Sequence, residues 1–300
     1  LVKMNSGTAQ VNIYSLVTGR LAVFAELVKA RLTLMVLITT AVSFYMGATI
    51  IDFALLFHVL LGTALVASGA QALNQYLEKD YDALMPRTAD RPIPTGRIRP
   101  EVALLYGGSA AVIGLLWLAF TVNLLTSVIG AITLVSYVLI YTPLKRVTPL
   151  NTLVGAIPGA LPPLMGWTAV SGLITVEGCA LVAILFFWQL PHFFAISWMY
   201  RDEYAEAGFV MVSGKDDSGE RTSQNALSYT LGLLLISTIP FLLKMTGPLY
   251  LVCALLLGGL FLASAITFSR NLTVASARRL FYYSILYLPL LLGLMVMDRA

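Results

Sequence analysis

Nine stretches of this chain are too long and too apolar to sit in a water-soluble core: residues 32–51, 54–77, 102–120, 122–141, 150–170, 173–200, 226–245, 248–268 and 280–297. A membrane-crossing helix takes about 20 apolar residues. In hydrocarbon every backbone polar group must be bonded inside the protein, which leaves helices or closed barrels. These runs are continuous rather than alternating, so helices are expected. Composition agrees, with 11% charged residues against about 25% in soluble domains, and a mean hydropathy of +0.84. The expected fold is an all-α integral membrane protein of nine transmembrane helices. Residues 1–30 form an N-terminal arm and residues 31–300 one intramembrane domain.

Several other classes are set aside by counting. Cys179 and Cys253 both lie inside apolar runs, which leaves no disulfide framework. His58 and His192 are too few for a histidine-built metal centre. The net charge of +4 reads as basic loops on one membrane face rather than as a nucleic-acid surface. Residues 1–20 are mostly polar and do not resemble a secretory signal.

Charge also sets sidedness. The arm with Arg31, the 78–101 loop, Lys145-Arg146, the 201–225 loop and the 269–279 loop hold 17 of the 19 Lys and Arg, against Lys244 and Arg299 on the other face. Basic loops stay cytoplasmic, so the N-terminus is expected inside and the C-terminus outside. The two long loops share the cytoplasmic face, one after the second run and one after the sixth, and each opens with acids at a helix end. That spacing reads as two four-helix pseudo-repeats plus one helix.

The first loop carries Asn74-Gln-Tyr-Leu-Glu78-Lys-Asp-Tyr-Asp82. Positions i, i+4 and i+8 advance by about 40° per step on a helix, so Asn74, Glu78 and Asp82 share one face. Asp80 points elsewhere. Ionisable groups at membrane depth usually line a functional cavity. An amide and two carboxylates suit a hard cation such as Mg2+, which takes oxygen ligands and bridges to phosphates. Arg87, Arg91 and Arg97 follow in a proline-stiffened segment, and arginine forks bind phosphate oxygens. Acids, metal and arginines together describe a diphosphate site. The second loop offers Asp202, Glu203 and Glu206, readable either as ligands of a second metal or as ordinary loop acids.

Asn-x-x-x-Glu-x-x-x-Asp followed by Met-x-Arg-Thr-x-x-Arg-Pro resembles the first signature of the intramembrane aromatic prenyltransferases, the 4-hydroxybenzoate prenyltransferase superfamily. Tyr141-Thr-Pro-Leu-Lys145-Arg146, Trp188-Gln-Leu-Pro-His192-Phe and Ala277-Arg-Arg-Leu-Phe-Tyr-Tyr-Ser284 are similar to its haem-farnesylating branch, and the likeness runs over roughly residues 30–295. The second motif departs from the superfamily's Asp-x-x-x-Asp. The resemblance implies a bundle around a central cavity with both acidic motifs at its cytoplasmic mouth. It implies farnesyl diphosphate and haem B as substrates, with Mg2+ held by Asn74, Glu78 and Asp82 and by the second-loop acids Asp202, Glu203 and Glu206. Arg87, Arg91, Arg97, Lys145, Arg146 and Tyr204 would contact substrate, and Tyr76, Tyr81 and Tyr141 offer π faces to an allylic cation. Membrane anchoring accounts equally well for any single tyrosine. His192 reads as a ligand of the haem iron or propionate, as a diphosphate or water contact, or as a packing histidine bonded to a carbonyl freed by Pro191. A bacterial inner membrane is the expected location, with the mitochondrial inner membrane as the alternative. Haem A synthase or oxidase assembly factors are the implied protein partners.

Two rival readings share part of the pattern. A sister prenyltransferase would take a quinone precursor or chlorophyllide as acceptor. A secondary transporter also has repeats, but its charged residues would lie at the midplane, and these acids cluster at one face. Sidedness is directly testable. Thr95→Cys and Lys215→Cys should label with a membrane-impermeant thiol reagent from the cytoplasmic side only, and labelling of either from outside overturns the topology.

Overall fold

The structure is a computed structural model that describes residues 13–300. Among the described residues the regular structure is helical apart from one isolated antiparallel bridge between Thr246 and Arg299. Among the described residues a helix α1 (Ile13–Leu27) precedes nine helices long and apolar enough to cross a membrane. These are α2 (Ala30–Gly47), α3 (Phe53–Asp82), α4 (Pro100–Thr121), α5 (Leu124–Leu144), α6 (Asn151–Ser171), α7 (Val176–Met199), α8 (Glu220–Leu242), α9 (Pro248–Asn271) and α10 (Val274–Met297). The number of spans matches the sequence reading. Within the N-terminal arm, Ile13–Leu27 form a helix with Leu21 and Phe24 exposed.

Local sequence explains where the helices start. Asp52 caps α3 by accepting hydrogen bonds from the backbone N–H groups of Ala54 and Leu55 at 2.9 and 3.0 Å. Asn123 caps α5 through Thr126 N–H at 2.8 Å. Thr273 and Ser276 form a capping box at the head of α10. Each satisfies donors that a helix start leaves open. Pro100 and Pro248 open α4 and α9, where a missing N–H does no harm.

The extra length of α3 positions the site. Its 30 residues span about 45 Å at about 1.5 Å per residue, well beyond the roughly 30 Å of hydrocarbon. The last two turns, with Asn74, Glu78 and Asp82, therefore emerge at the membrane–water boundary while still helical. Helix α4 packs along α3 with almost no side-chain spacing. A Cβ on Gly69 would lie 2.7 Å from the Gly107 carbonyl oxygen, and one on Gly114 would lie 2.9 Å from Val66 N. Close backbone approach through small residues is how membrane helices associate when lipid supplies no hydrophobic drive.

Two cores lie in the bundle. One gathers Phe44, Val59, Val66, Leu118, Ile129 and Met165 from the first half. The other gathers Phe194, Leu233, Phe261, Phe268, Tyr287 and Leu291 from the second. Side chains of α6 enter both, in keeping with two helical groups joined in the middle. Helix α6 bends at Leu161, ahead of Pro162 and Pro163. Within α5, residues Ser136–Tyr141 form a π-helical turn, a local widening often found at functional sites.

The α3–α4 contact makes a clear prediction. Gly69→Ala should lower the thermal stability of the detergent-solubilised protein, by about 1–3 kcal/mol as for other overpacked contacts. Gly108→Ala, whose Cβ meets nothing within 4 Å, should leave it unchanged in the same unfolding scan.

Candidate active site

Asn74, Glu78 and Asp82 lie on one buried face of α3, as their spacing requires, at 0%, 2% and 2% exposure. Asp80 is turned to solvent beside Lys79. Each of the three oxygen donors meets a basic group from a different segment. Asn74 Oδ1 accepts from Lys29 Nζ at 3.2 Å. Glu78 Oε1 accepts from Lys145 Nζ at 2.7 Å, and Asp82 Oδ2 from Arg91 Nη1 at 2.5 Å. The Asn74 amide is oriented by its other end, where Nδ2 donates to Thr142 Oγ1 at 3.1 Å. Thr142 Oγ1 in turn donates to the Tyr137 carbonyl at the π-turn, at 2.9 Å.

The same turn sets two aromatic rings against this column. Tyr137 and Tyr141 have centroids 5.7 Å apart. Tyr137 donates its hydroxyl to Gln71 Oε1 at 3.2 Å, and the Lys145 ammonium lies 4.6 Å from the Tyr141 centroid. Gly155 on α6 makes room for Tyr141, since a Cβ there would come within 2.4 Å of the ring.

Two lysines that flank the spans differ in how they hold a proton. The stem of Lys29 is partly exposed, but its ammonium end is enclosed. That burial, with Arg91 and Lys145 nearby, lowers its pKa to about 7. Burial also works against charge on Lys145, yet Glu78 and the two tyrosines hold its pKa above the ordinary lysine value.

The second acidic loop docks against the first. Met85, Ala207 and Phe209 pack together with Tyr81, Tyr204 and Met211. Arg87 Nη2 donates to Tyr204 OH at 2.8 Å and lies over the Tyr200 and Tyr204 rings. Val210 N–H donates to the Lys145 carbonyl at 2.7 Å, and Asn151 Nδ2 to the Val210 carbonyl at 2.6 Å. The loop that carries Asp202, Glu203 and Glu206 is thus tied to the segment that presents Lys145.

The acids of that loop do not join the α3 column. Asp202 is exposed beside Arg201, and Glu206 is exposed. Glu203 is partly buried, and its Oε2 is enclosed without a hydrogen-bond partner. Among the described residues no three His, Cys, Asp or Glu side chains converge. The α3 column itself offers two carboxylates and an amide oxygen. An all-oxygen set of this kind suits Mg2+, which needs only one or two carboxylates when phosphates and water complete its shell.

Two arginines take other work. Arg97 pairs with Glu26 at 2.7 Å and donates to Thr95 Oγ1 and the Asp90 carbonyl, which fastens the loop to α1. Arg146 lies 3.6 Å from the Tyr81 centroid and donates to the Leu77 carbonyl at 3.0 Å, which braces the end of α3. Tyr76 packs with Leu27, Ala72, Ile93 and Ala103 beside α1. Lys29, Gln71, Tyr137 and Thr142 were not singled out by sequence. Gln71 could have been, as a polar residue in an apolar run one turn before Asn74.

His192 is not bonded to a carbonyl freed by Pro191. Its Nδ1 is 2.7 Å from Ser284 Oγ on α10, and the ring stacks between Trp188 and Phe281. Ser284 spends its own proton on the Phe281 carbonyl at 2.5 Å. The hydroxyl oxygen must then accept, so His192 carries its proton on Nδ1 and leaves a lone pair on Nε2.

Residues 36–288 match the UbiA prenyltransferase family. The chain is similar to the protoheme IX farnesyltransferase of Solibacter usitatus (strain Ellin6076), 44% identical over 286 residues, which is 92% of this chain and 98% of that protein. In fold it is similar to a digeranylgeranylglyceryl phosphate synthase, with TM-score 0.79 and 16% identity over 93% of this chain and 98% of the other. It is also similar in fold to a UbiA homolog from Archaeoglobus fulgidus bound to DMAPP and Mg2+, with TM-score 0.62 and 16% identity over 90% and 99% of the two chains. The chain therefore belongs to the UbiA prenyltransferase family.

Proposed function

We propose that this protein transfers the farnesyl group of farnesyl diphosphate to the 2-vinyl group of haem B, with addition of water. The observation that carries this reading is the buried column of Asn74, Glu78 and Asp82, with a basic group within hydrogen-bond reach of each member. An anion bound there needs a cation among the carboxylates, and the Archaeoglobus relative is described with both a prenyl diphosphate and Mg2+. The acceptor follows from similarity to the Solibacter enzyme over nearly its whole length.

Asn74, Glu78 and Asp82 would hold Mg2+, with Glu203 Oε2 as the second-loop oxygen free to join them. When held by these residues, Mg2+ would supply positive charge that offsets the diphosphate oxygens and improves the leaving group. Lys29, Arg91 and Lys145 grip the same oxygens as the C1–O bond breaks and negative charge grows on the departing pyrophosphate. Fixed cations aimed at that developing charge need no reorganisation at the moment of reaction. The Tyr141 ring, seated by Gly155 and the π-turn, offers its face to the allylic cation left behind. The vinyl π pair then forms the new carbon–carbon bond. Water adds to the resulting cation and loses a proton, giving a hydroxyethylfarnesyl side chain.

The α7–α10 side of the bundle holds the acceptor. His192 presents a bare Nε2 flanked by aromatic surfaces, a suitable ligand for haem iron beside a flat macrocycle. The bound haem would face the diphosphate site from helices that contribute nothing to the α3 column. The excess of basic residues in the loops at this end supports a cytoplasmic position for the site.

Two predictions follow from these assignments. Asp82→Asn should abolish product formation, read by mass analysis of extracted haem, while the protein remains folded and inserted. Asp80→Asn should retain most activity, because Asp80 points to solvent. Full activity of the Asp82 variant at limiting Mg2+ would reject the metal assignment. Separately, His192→Ala should weaken haem B binding and shift the Soret band without changing affinity for farnesyl diphosphate. An unaltered spectrum and affinity remove His192 from the acceptor site.

A further inference from the structure

In the α3 column Asn74 Oδ1 and one oxygen of each carboxylate are already in contact with a basic group. Lys29 comes from the α1–α2 junction, Lys145 from the end of α5, and Arg91 from the loop after α3, at 3.2, 2.7 and 2.5 Å from their partners. The carboxylate side chains of Glu78 and Asp82 are each 3% exposed, and Lys145 and Arg91 are 17% and 23% exposed. Charges this poorly hydrated are tolerated only when nearly balanced.

With Lys29 protonated, three basic groups against two carboxylates leave one positive charge in excess. A divalent cation entering alone would raise that excess to three and would meet an ammonium or guanidinium on Asn74 Oδ1, Glu78 Oε1 and Asp82 Oδ2. A diphosphate entering alone brings about three negative charges. It would compete with Glu78 and Asp82 for the same three cations and leave an excess of two negative charges. Together the two ligands bring the cluster to neutrality. The basic groups move onto the phosphates as the cation takes the oxygens they release, so neither carboxylate is ever left bare.

We propose that the site rejects metal alone and diphosphate alone and takes them up as a pair, with Lys29, Arg91 and Lys145 acting as resident counter-cations that change partners on binding. This rests on the metal–diphosphate reading of the column given above. The linkage is reciprocal: each ligand raises affinity for the other by the same factor. Lys29 is part of the device, although no carboxylate pairs with it, because it occupies the one uncharged oxygen of the column.

The experiment is equilibrium binding to the purified full-length chain in nanodiscs, with Mn2+ followed by electron paramagnetic resonance as the cation and inorganic pyrophosphate as the anion. Free Mn2+ is held fixed by buffering. In the wild type, saturating pyrophosphate should tighten Mn2+ binding by about tenfold or more, within the usual range for coupled sites. Lys145→Met should tighten binding of Mn2+ alone and shrink the effect of pyrophosphate. Lys29→Met, which leaves no carboxylate unpaired, should do the same to a smaller degree without risk to folding. Equal wild-type affinity with and without pyrophosphate overturns the proposal, as does unchanged affinity for lone Mn2+ in both variants. Absence of Mn2+ binding under every condition instead overturns the metal reading of the column itself.

Discussion

Two carboxylates at the end of a membrane helix can stay buried only because cations reach them from elsewhere in the chain. Glu78 and Asp82 depend on Lys145 and Arg91, which lie 67 and 9 residues away in sequence. Much of this end of the bundle serves that requirement. The extended α3 carries the acids out of hydrocarbon, and Val210 and Asn151 tie down the segment that presents Lys145. Arg146 and Arg97 brace α3 and the first loop. Breaking one member of a buried pair leaves the other uncompensated, typically at several kcal/mol. Stability and ligand binding are therefore coupled at the same residues.

The rings beside the column depend on a departure from regular helix. The π-turn at Ser136–Tyr141 releases the Tyr137 carbonyl to Thr142 and brings Tyr137 and Tyr141 side by side. The α6 backbone at Gly155 lies so close to Tyr141 that no side chain fits between them. Helix α6 thereby acts as a flat wall behind the ring. The placement is a property of three helices, since α3 contributes Gln71 to the same arrangement.

Much of this was legible in the sequence. The nine runs gave the spans, and an i, i+4, i+8 pattern gave the buried column, because both follow from helical periodicity alone. Arg91 and Lys145 were legible by their place in motifs. Lys29 was not, since a lysine before the first span is indistinguishable from the other basic residues that set sidedness. Arg97 and Arg146 resembled phosphate ligands for the same reason, and only the contacts to Glu26 and Leu77 show what they hold. Tyr137 was hidden because a π-turn shifts the phase of every residue after it. The partner of His192 was hidden because Ser284 lies 92 residues away. The helical character of α1 was masked by a short, weakly patterned apolar segment. Membership of a prenyltransferase family removes the transporter reading that midplane charges would have supported.

Lys29 joins α1 to α2 with its backbone at φ 44°, in the left-handed region. That conformation costs a residue with a Cβ about 1–2 kcal/mol, and glycine would adopt it freely. The chain keeps lysine there and so retains an ammonium beside Asn74. Natural drift towards a more stable fold and retention of a working site pull in opposite directions at this one position. A library ranked by thermal stability would favour glycine at residue 29, and a library ranked by growth on the product would discard it.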